Sequence, residues 1–123
     1  MRQRILVVDD SATVLAIIKS ALLHAYEVET ATGGEEGLEQ ARRSLPDLIV
    51  TDSLMPGLDG FGLLRRLQDD PATSAIPLIL LTSEDVREQP APGGVQPAAV
   101  LTKSMDMEPL LQAVRSALES VPL

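Results

Sequence analysis

The stretch Ile-Leu-Val-Val-Asp-Asp at residues 5–10 decides the fold, because a short apolar run there ends directly on two carboxylates. Three further apolar runs end on a polar residue in the same way. They are Leu48–Thr51 before Asp52, Leu78–Leu81 before Thr82, and Val100–Thr102 before Lys103. Short continuous apolar runs are typical of strands buried on both faces, as in parallel sheets. Since open parallel sheets carry their sites outside the carboxyl ends of the strands, these polar side chains are expected to meet at one edge.

Between these runs the sequence alternates helix and strand patterns. Apolar residues at helical spacing predict a first helix after Ser11 that ends near Ala25, and a second over Glu35–Arg43 after a turn at Gly33-Gly34. The same spacing predicts a helix that begins at Phe61 and a last helix after Asp106. The alternating stretch Glu27–Thr30 predicts a second, more exposed strand. Five strands and four or five helices in alternation predict an α/β fold, with a parallel sheet covered on both faces. We expect residues 1–123 to form a single domain.

The segment Glu84–Pro97 interrupts the alternation. Its first five residues suit one or two helical turns, but three prolines and two glycines follow before the next strand. Proline removes a helical hydrogen bond and glycine disfavours the helix interior. We therefore expect a short or irregular fourth helix, and a mobile stretch at Gln89–Gln96.

The composition excludes several classes of protein. The formal net charge of −8 disfavours binding to nucleic acid or to anionic membranes. The chain has no cysteine, so disulfides and thiolate metal sites are impossible. No apolar run reaches the roughly 18 residues of a membrane span. A cytoplasmic protein is the expectation.

The polar residues at the strand ends suggest phosphoryl transfer. Asp9, Asp10 and Asp52 would repel one another strongly unless a cation joined them. Oxygen ligands without histidine or cysteine suit a hard cation such as Mg²⁺. A carboxylate beside Mg²⁺ can act as a nucleophile toward phosphorus, while Lys103 and the hydroxyl of Thr82 offset charge on the phosphoryl oxygens.

Four motifs, in this order at strand ends, resemble a response-regulator receiver domain over nearly the whole chain. They are Ile5–Ser11, the loop Asp52–Gly60, Thr82-Ser83 and Thr102-Lys103. The resemblance implies a flavodoxin-like, doubly wound sheet with strand order 2-1-3-4-5. It implies a signalling domain of a two-component system, not an enzyme in the ordinary sense, that passes its signal to a downstream protein or a linked output domain.

The resemblance also implies roles for individual residues. Asp52 would accept a phosphoryl group from a histidine kinase or phosphotransfer protein. Mg²⁺ would be held by Asp10, Asp52 and the backbone carbonyl of Leu54, with Asp9 acting directly or through water. Thr82 and Lys103 would contact the phosphoryl oxygens.

Two positions depart from the family pattern. Ser104 follows the lysine where the family usually has proline, often after a cis peptide. Because a cis bond before a non-proline residue costs about 2.5–4 kcal/mol, a trans bond with a shifted loop is favoured over a retained, strained cis bond. Val100 stands where the family usually has an aromatic ring that moves on phosphorylation. These departures keep open an alternative, a receiver-like binding module that works without phosphorylation.

Other proteins of this architecture fit the sequence poorly. A flavodoxin needs a phosphate-cradling loop after the first strand, where Asp9 and Asp10 would repel phosphate. A dehalogenase-type phosphatase would place Asp-x-Asp at that point, and this chain has Asp-Asp-Ser.

Overall fold

Strands and helices alternate through the computed structural model, which describes residues 2–83, 97–104 and 106–119. The strands are β1 (Arg4–Val8), β2 (Glu27–Ala31), β3 (Leu48–Asp52), β4 (Leu78–Thr82) and β5 (Ala99–Thr102). The helices are α1 (Ala12–Leu22), α2 (Gly34–Ser44), α3 (Gly60–Gln68) and α4 (Glu108–Glu119). The strands form one parallel sheet in the order β2-β1-β3-β4-β5, as expected.

The sheet is covered on both faces because successive side chains of a strand point to opposite sides. On one face the strands pack against α1 and α4, through side chains such as Val50, Ile18 and Val114. On the other face they pack against α2 and α3, through side chains such as Ile49 and Leu63. The central strands β3 and β4 are buried along their whole length, whereas the edge strand β2 is largely half-exposed. The three-layer arrangement is the doubly wound fold predicted from the apolar runs.

Several boundaries differ from those predicted. Helix α1 ends at Leu22 rather than near Ala25, and Leu23 caps it, with its amide donating to the carbonyl of Lys19. Gly34 is the first residue of α2 rather than part of a turn. Helix α4 begins at Glu108, whose amide donates to the Asp106 carboxylate at 3.0 Å.

A short or irregular helix was predicted within Glu84–Pro97, and a mobile stretch at Gln89–Gln96. Of these residues the structure describes only Pro97, so both predictions lie outside the described residues. No helix in the described part of the chain combines the length and apolar character needed to cross a membrane.

Candidate functional site

The register of the strands brings the predicted site residues to one edge of the sheet. Val8 pairs with Thr51, so Asp9 follows β1 at the level where Asp52 ends β3. Asp52 in turn pairs with Leu81, the residue before Thr82 at the end of β4. Because parallel strands end on the same side, the polar residues that follow them share one small volume.

The three carboxylates form a cluster with unequal exposure. One carboxylate oxygen from each of Asp9, Asp10 and Asp52 lies within 4.8 Å of the others. Asp9 and Asp52 are buried, whereas Asp10 is exposed. Carboxylate oxygens at this spacing suit a hard divalent cation, because each supplies negative charge and a ligand atom to one point. The donor set therefore fits Mg²⁺, and the exposed Asp10 leaves the cluster open to solvent.

Lys103 joins two of these carboxylates. Its Nζ atom lies 3.1 Å from Oδ2 of Asp9 and 3.1 Å from Oδ2 of Asp52. Partial burial acts to lower the pKa of Lys103, but the hydrogen bonds and charges of Asp52 and Asp9 outweigh it and raise that pKa. The amide of Lys103 also donates to the carbonyl of Thr82 at 2.6 Å, which fixes the start of the β5–α4 connection.

Asp9 is held by both of its oxygens. Oδ1 accepts the backbone amide of Ser11 at 2.9 Å, while Oδ2 faces Lys103. Burial raises the pKa of the Asp9 carboxyl, and the Ser11 amide and Lys103 oppose this rise only in part. A cation in the cluster would favour the ionised form of the same group.

Thr82 is buried at the end of β4, where it pairs with Thr102. This position lies on the same edge as Asp52, as predicted from the sequence. Leu54 lies two residues beyond Asp52 and is 64% exposed. Its amide donates to Oδ1 of Asp52 at 3.3 Å.

The segment Ser53–Asp59, here named the acceptor loop, is anchored at both ends. The Ser53 amide donates to the carbonyl of Leu81, and the Gly60 amide donates to the carbonyl of Ser53. A Cβ atom at Gly60 would lie 2.3 Å from the carbonyl oxygen of Asp52, so only glycine fits there. The sequence placed Gly60 only at the end of the predicted loop Asp52–Gly60. Its position directly after Asp59, which caps α3, was the available signal.

The two departures from the family pattern have simple structural consequences. No cis peptide bond occurs in the described residues, so the Lys103–Ser104 bond is trans, as predicted. The Ser104 hydroxyl accepts the amide of Asp106 at 3.1 Å. Val100 is half-buried and packs against the core beneath α2 and α3, leaving no aromatic ring at this position.

Comparisons with known proteins agree with this geometry. The model of the response regulator receiver domain matches residues 5–115. The chain is 43% identical over 118 residues to response regulator PleD of Caulobacter vibrioides, covering 94% of this chain but only 26% of PleD. It is 40% identical over 117 residues to protein PilH of Pseudomonas aeruginosa, covering 94% of this chain and 97% of PilH.

Solved structures show the same fold. The chemotaxis protein CheY4 of Vibrio cholerae matches with a TM-score of 0.89 and 29% identity, over 96% of this chain and 100% of that one. Response regulator TrrA of Thermotoga maritima, solved in complex with Mg²⁺ and BeF, matches with a TM-score of 0.84 and 29% identity, over 94% of this chain and 99% of that one.

Proposed function

Because the chain belongs to the response regulator receiver domain family, we propose that Asp52 accepts a phosphoryl group from a phosphohistidine in a Mg²⁺-dependent reaction. The donor is the phosphohistidine of a histidine kinase or phosphotransfer protein. A downstream protein or a linked output domain receives the signal. The observation that carries the proposal is the bridge from Lys103 to Asp52 and Asp9, beside the open carboxylate cluster.

Apart from the cation and the phosphodonor, the reaction uses side chains that lie at this edge of the sheet. A carboxylate oxygen of Asp52 attacks phosphorus, and the phosphorus–nitrogen bond of the donor breaks with its electron pair left on the imidazole nitrogen. Lys103 then exchanges its contact with Asp52 for the incoming phosphoryl oxygens, and Thr82 donates a hydrogen bond to them. Such preorganised positive charge and donors stabilise the charge that spreads over the phosphoryl oxygens in the transition state.

Three groups are proposed to hold the cation. They are the carboxylates of Asp10 and Asp52 and the backbone carbonyl of Leu54, with Asp9 acting directly or through water. Bound Mg²⁺ supplies positive charge that offsets repulsion between the carboxylates and the phosphoryl oxygens. The oxygen-only donor set supports this assignment, as does the bound Mg²⁺ and BeF of the TrrA structure.

Intact-protein mass spectrometry after incubation with acetyl phosphate and Mg²⁺ tests the proposal. We expect a gain of one phosphoryl group that is absent in Asp52→Asn and absent without Mg²⁺. Asp69→Asn, which changes an exposed carboxylate at the far end of α3, is the matched control and should keep the gain. Hydroxylamine should remove the group, since it cleaves an acyl phosphate but not a phosphorylated hydroxyl. No gain in the wild-type protein would contradict phosphorylation.

A second candidate function is a receiver-like binding module that works without phosphorylation. The replacement of the usual aromatic residue by Val100 favours it, because the ring that would transmit phosphorylation is missing. The same mass measurement decides between the two functions, since the binding module predicts no gain under any condition.

A further inference from the structure

The first turn of α2 lies directly against the acceptor loop. Gly34 opens this helix and is buried, and a Cβ atom there would lie 2.1 Å from the carbonyl oxygen of Leu58. The same atom would lie 2.9 Å from the carbonyl carbon and from Cβ of Leu58. The preceding residue, Gly33, has open space around its Cβ position. Close approach is therefore a property of Gly34 and not of the glycine pair as a whole.

The acceptor loop is thus held from two helices. Gly60, at the start of α3, lies so close to the carbonyl of Asp52 that a Cβ atom would not fit between them. Gly34, at the start of α2, lies equally close to the carbonyl of Leu58. Leu54 lies between these two contacts, with its amide on Asp52. Three residues separate Leu58 from Leu54, and backbone hydrogen bonds anchor the segment at both ends.

We infer that Gly34 is a positioning residue for the cation site, acting through Leu58 on the acceptor loop. This inference rests on the proposed function and deepens it, since it assigns control of the Leu54 carbonyl to a residue on another helix. A methyl group at Gly34 would force the Leu58 carbonyl and α2 apart by roughly 1 Å to restore an ordinary contact. Loss of a group that orients a metal ligand typically weakens metal affinity about 10- to 100-fold.

The test is the dissociation constant for Mg²⁺, measured by two-dimensional NMR without any phosphodonor. We expect Gly34→Ala to bind Mg²⁺ about tenfold more weakly than the wild-type protein, and its Leu54 amide signal to shift before Mg²⁺ is added. Gly33→Ala is the matched control and should bind like wild type, because it adds the same methyl group one residue away in open space.

A second control separates positioning from loss of stability. Val114→Ala truncates a buried side chain of α4 in the core on the other face of the sheet. It should lower the unfolding midpoint while leaving the Mg²⁺ dissociation constant and the Leu54 amide unchanged. Equal weakening in Val114→Ala and Gly34→Ala would overturn the inference, because it would show that any destabilising change has this effect.

The outcomes also separate this inference from the proposed function. If the wild-type protein binds Mg²⁺ and Gly34→Ala binds it with equal affinity, the positioning role alone is overturned. A wild-type protein that fails to bind Mg²⁺ overturns both. If Gly34→Ala does not fold, its Mg²⁺ affinity is measured in the osmolyte trimethylamine N-oxide, which favours the folded state, with Gly33→Ala measured under the same conditions. Affinity equal to that of Gly33→Ala would then overturn the inference, and weaker binding would support it.

Discussion

The ammonium of Lys103 lies 3.1 Å from Oδ2 of Asp52, so the proposed nucleophile is paired with a cation before any phosphodonor binds. The same ammonium contacts Asp9, which is almost completely buried. Lys103 thus offsets the negative charge of neighbouring carboxylates that would otherwise repel one another. The contact also holds the ammonium where the phosphoryl oxygens are proposed to arrive.

Replacement of Lys103 by methionine should slow phosphorylation by acetyl phosphate about 10²- to 10³-fold, since it removes a preorganised positive charge from the transition state. It should leave Mg²⁺ binding in place, because all the proposed cation ligands remain. Time-resolved mass spectrometry gives the rate. Lys103→Arg keeps the charge and should lose less activity than Lys103→Met. Equal rates in Lys103→Met and wild type would contradict a role for the ammonium.

Mg²⁺ should raise the thermal unfolding midpoint, because a ligand that binds only the folded state stabilises that state by mass action. Asp10→Asn should abolish most of this increase, and it should itself raise the midpoint without Mg²⁺, because it removes one of three mutually repelling carboxylates. Asp69→Asn alters another exposed carboxylate and should keep the full increase. A calorimetric scan with and without Mg²⁺ measures both effects. An undiminished increase in Asp10→Asn would argue against this carboxylate as a ligand.

The meeting of Asp9 and Lys103, which are 94 residues apart, was predictable from the sequence. Each follows a short apolar run that predicts a strand, and parallel strands end on the same edge of the sheet. The contact between Gly34 and Leu58 was not predictable in this way. It depends on how closely α2 approaches the acceptor loop after β3. Two adjacent glycines in a sequence predict a turn as readily as a close contact.

The backbone conformation at the end of α2 also could not be predicted from the sequence pattern. Proline disfavours a helical conformation of the residue before it, so Pro46 accounts for the end of α2. It does not predict that Leu45 adopts a left-handed conformation with φ of 48°. Any side chain is unfavourable there, because its Cβ lies too close to the following carbonyl oxygen, and nothing in the local sequence predicts this strain.

The carboxyl of Glu36 should have a pKa below its ordinary value of 4.5, because Thr32 donates two hydrogen bonds to the charged form. The bond from the Thr32 hydroxyl is the larger cause, and the bond from its backbone amide is the smaller one. A lowered folded-state pKa contributes stability that is present above the ordinary pKa and lost as pH falls through the folded-state value. Thr32→Val removes the larger cause and should raise the Glu36 pKa toward 4.5. Carbon-detected NMR of the carboxyl group measures it. Thr13→Val, on the exposed side of α1, should leave it unchanged.

Leu45→Gly should stabilise the protein by about 1 kcal/mol, since a left-handed conformation costs a non-glycine residue roughly 1–2 kcal/mol and glycine almost nothing. Little apolar burial is lost, because Leu45 is 52% exposed. Leu23→Gly is the matched control: Leu23 also caps a helix and is 42% exposed, but its φ of −60° is right-handed. Glycine there gains no relief of strain and adds freedom to the unfolded chain, so it should destabilise by about 0.5–1 kcal/mol. Urea unfolding of both variants should therefore give free-energy changes of opposite sign. Destabilisation by both would mean that the backbone at Leu45 is not strained.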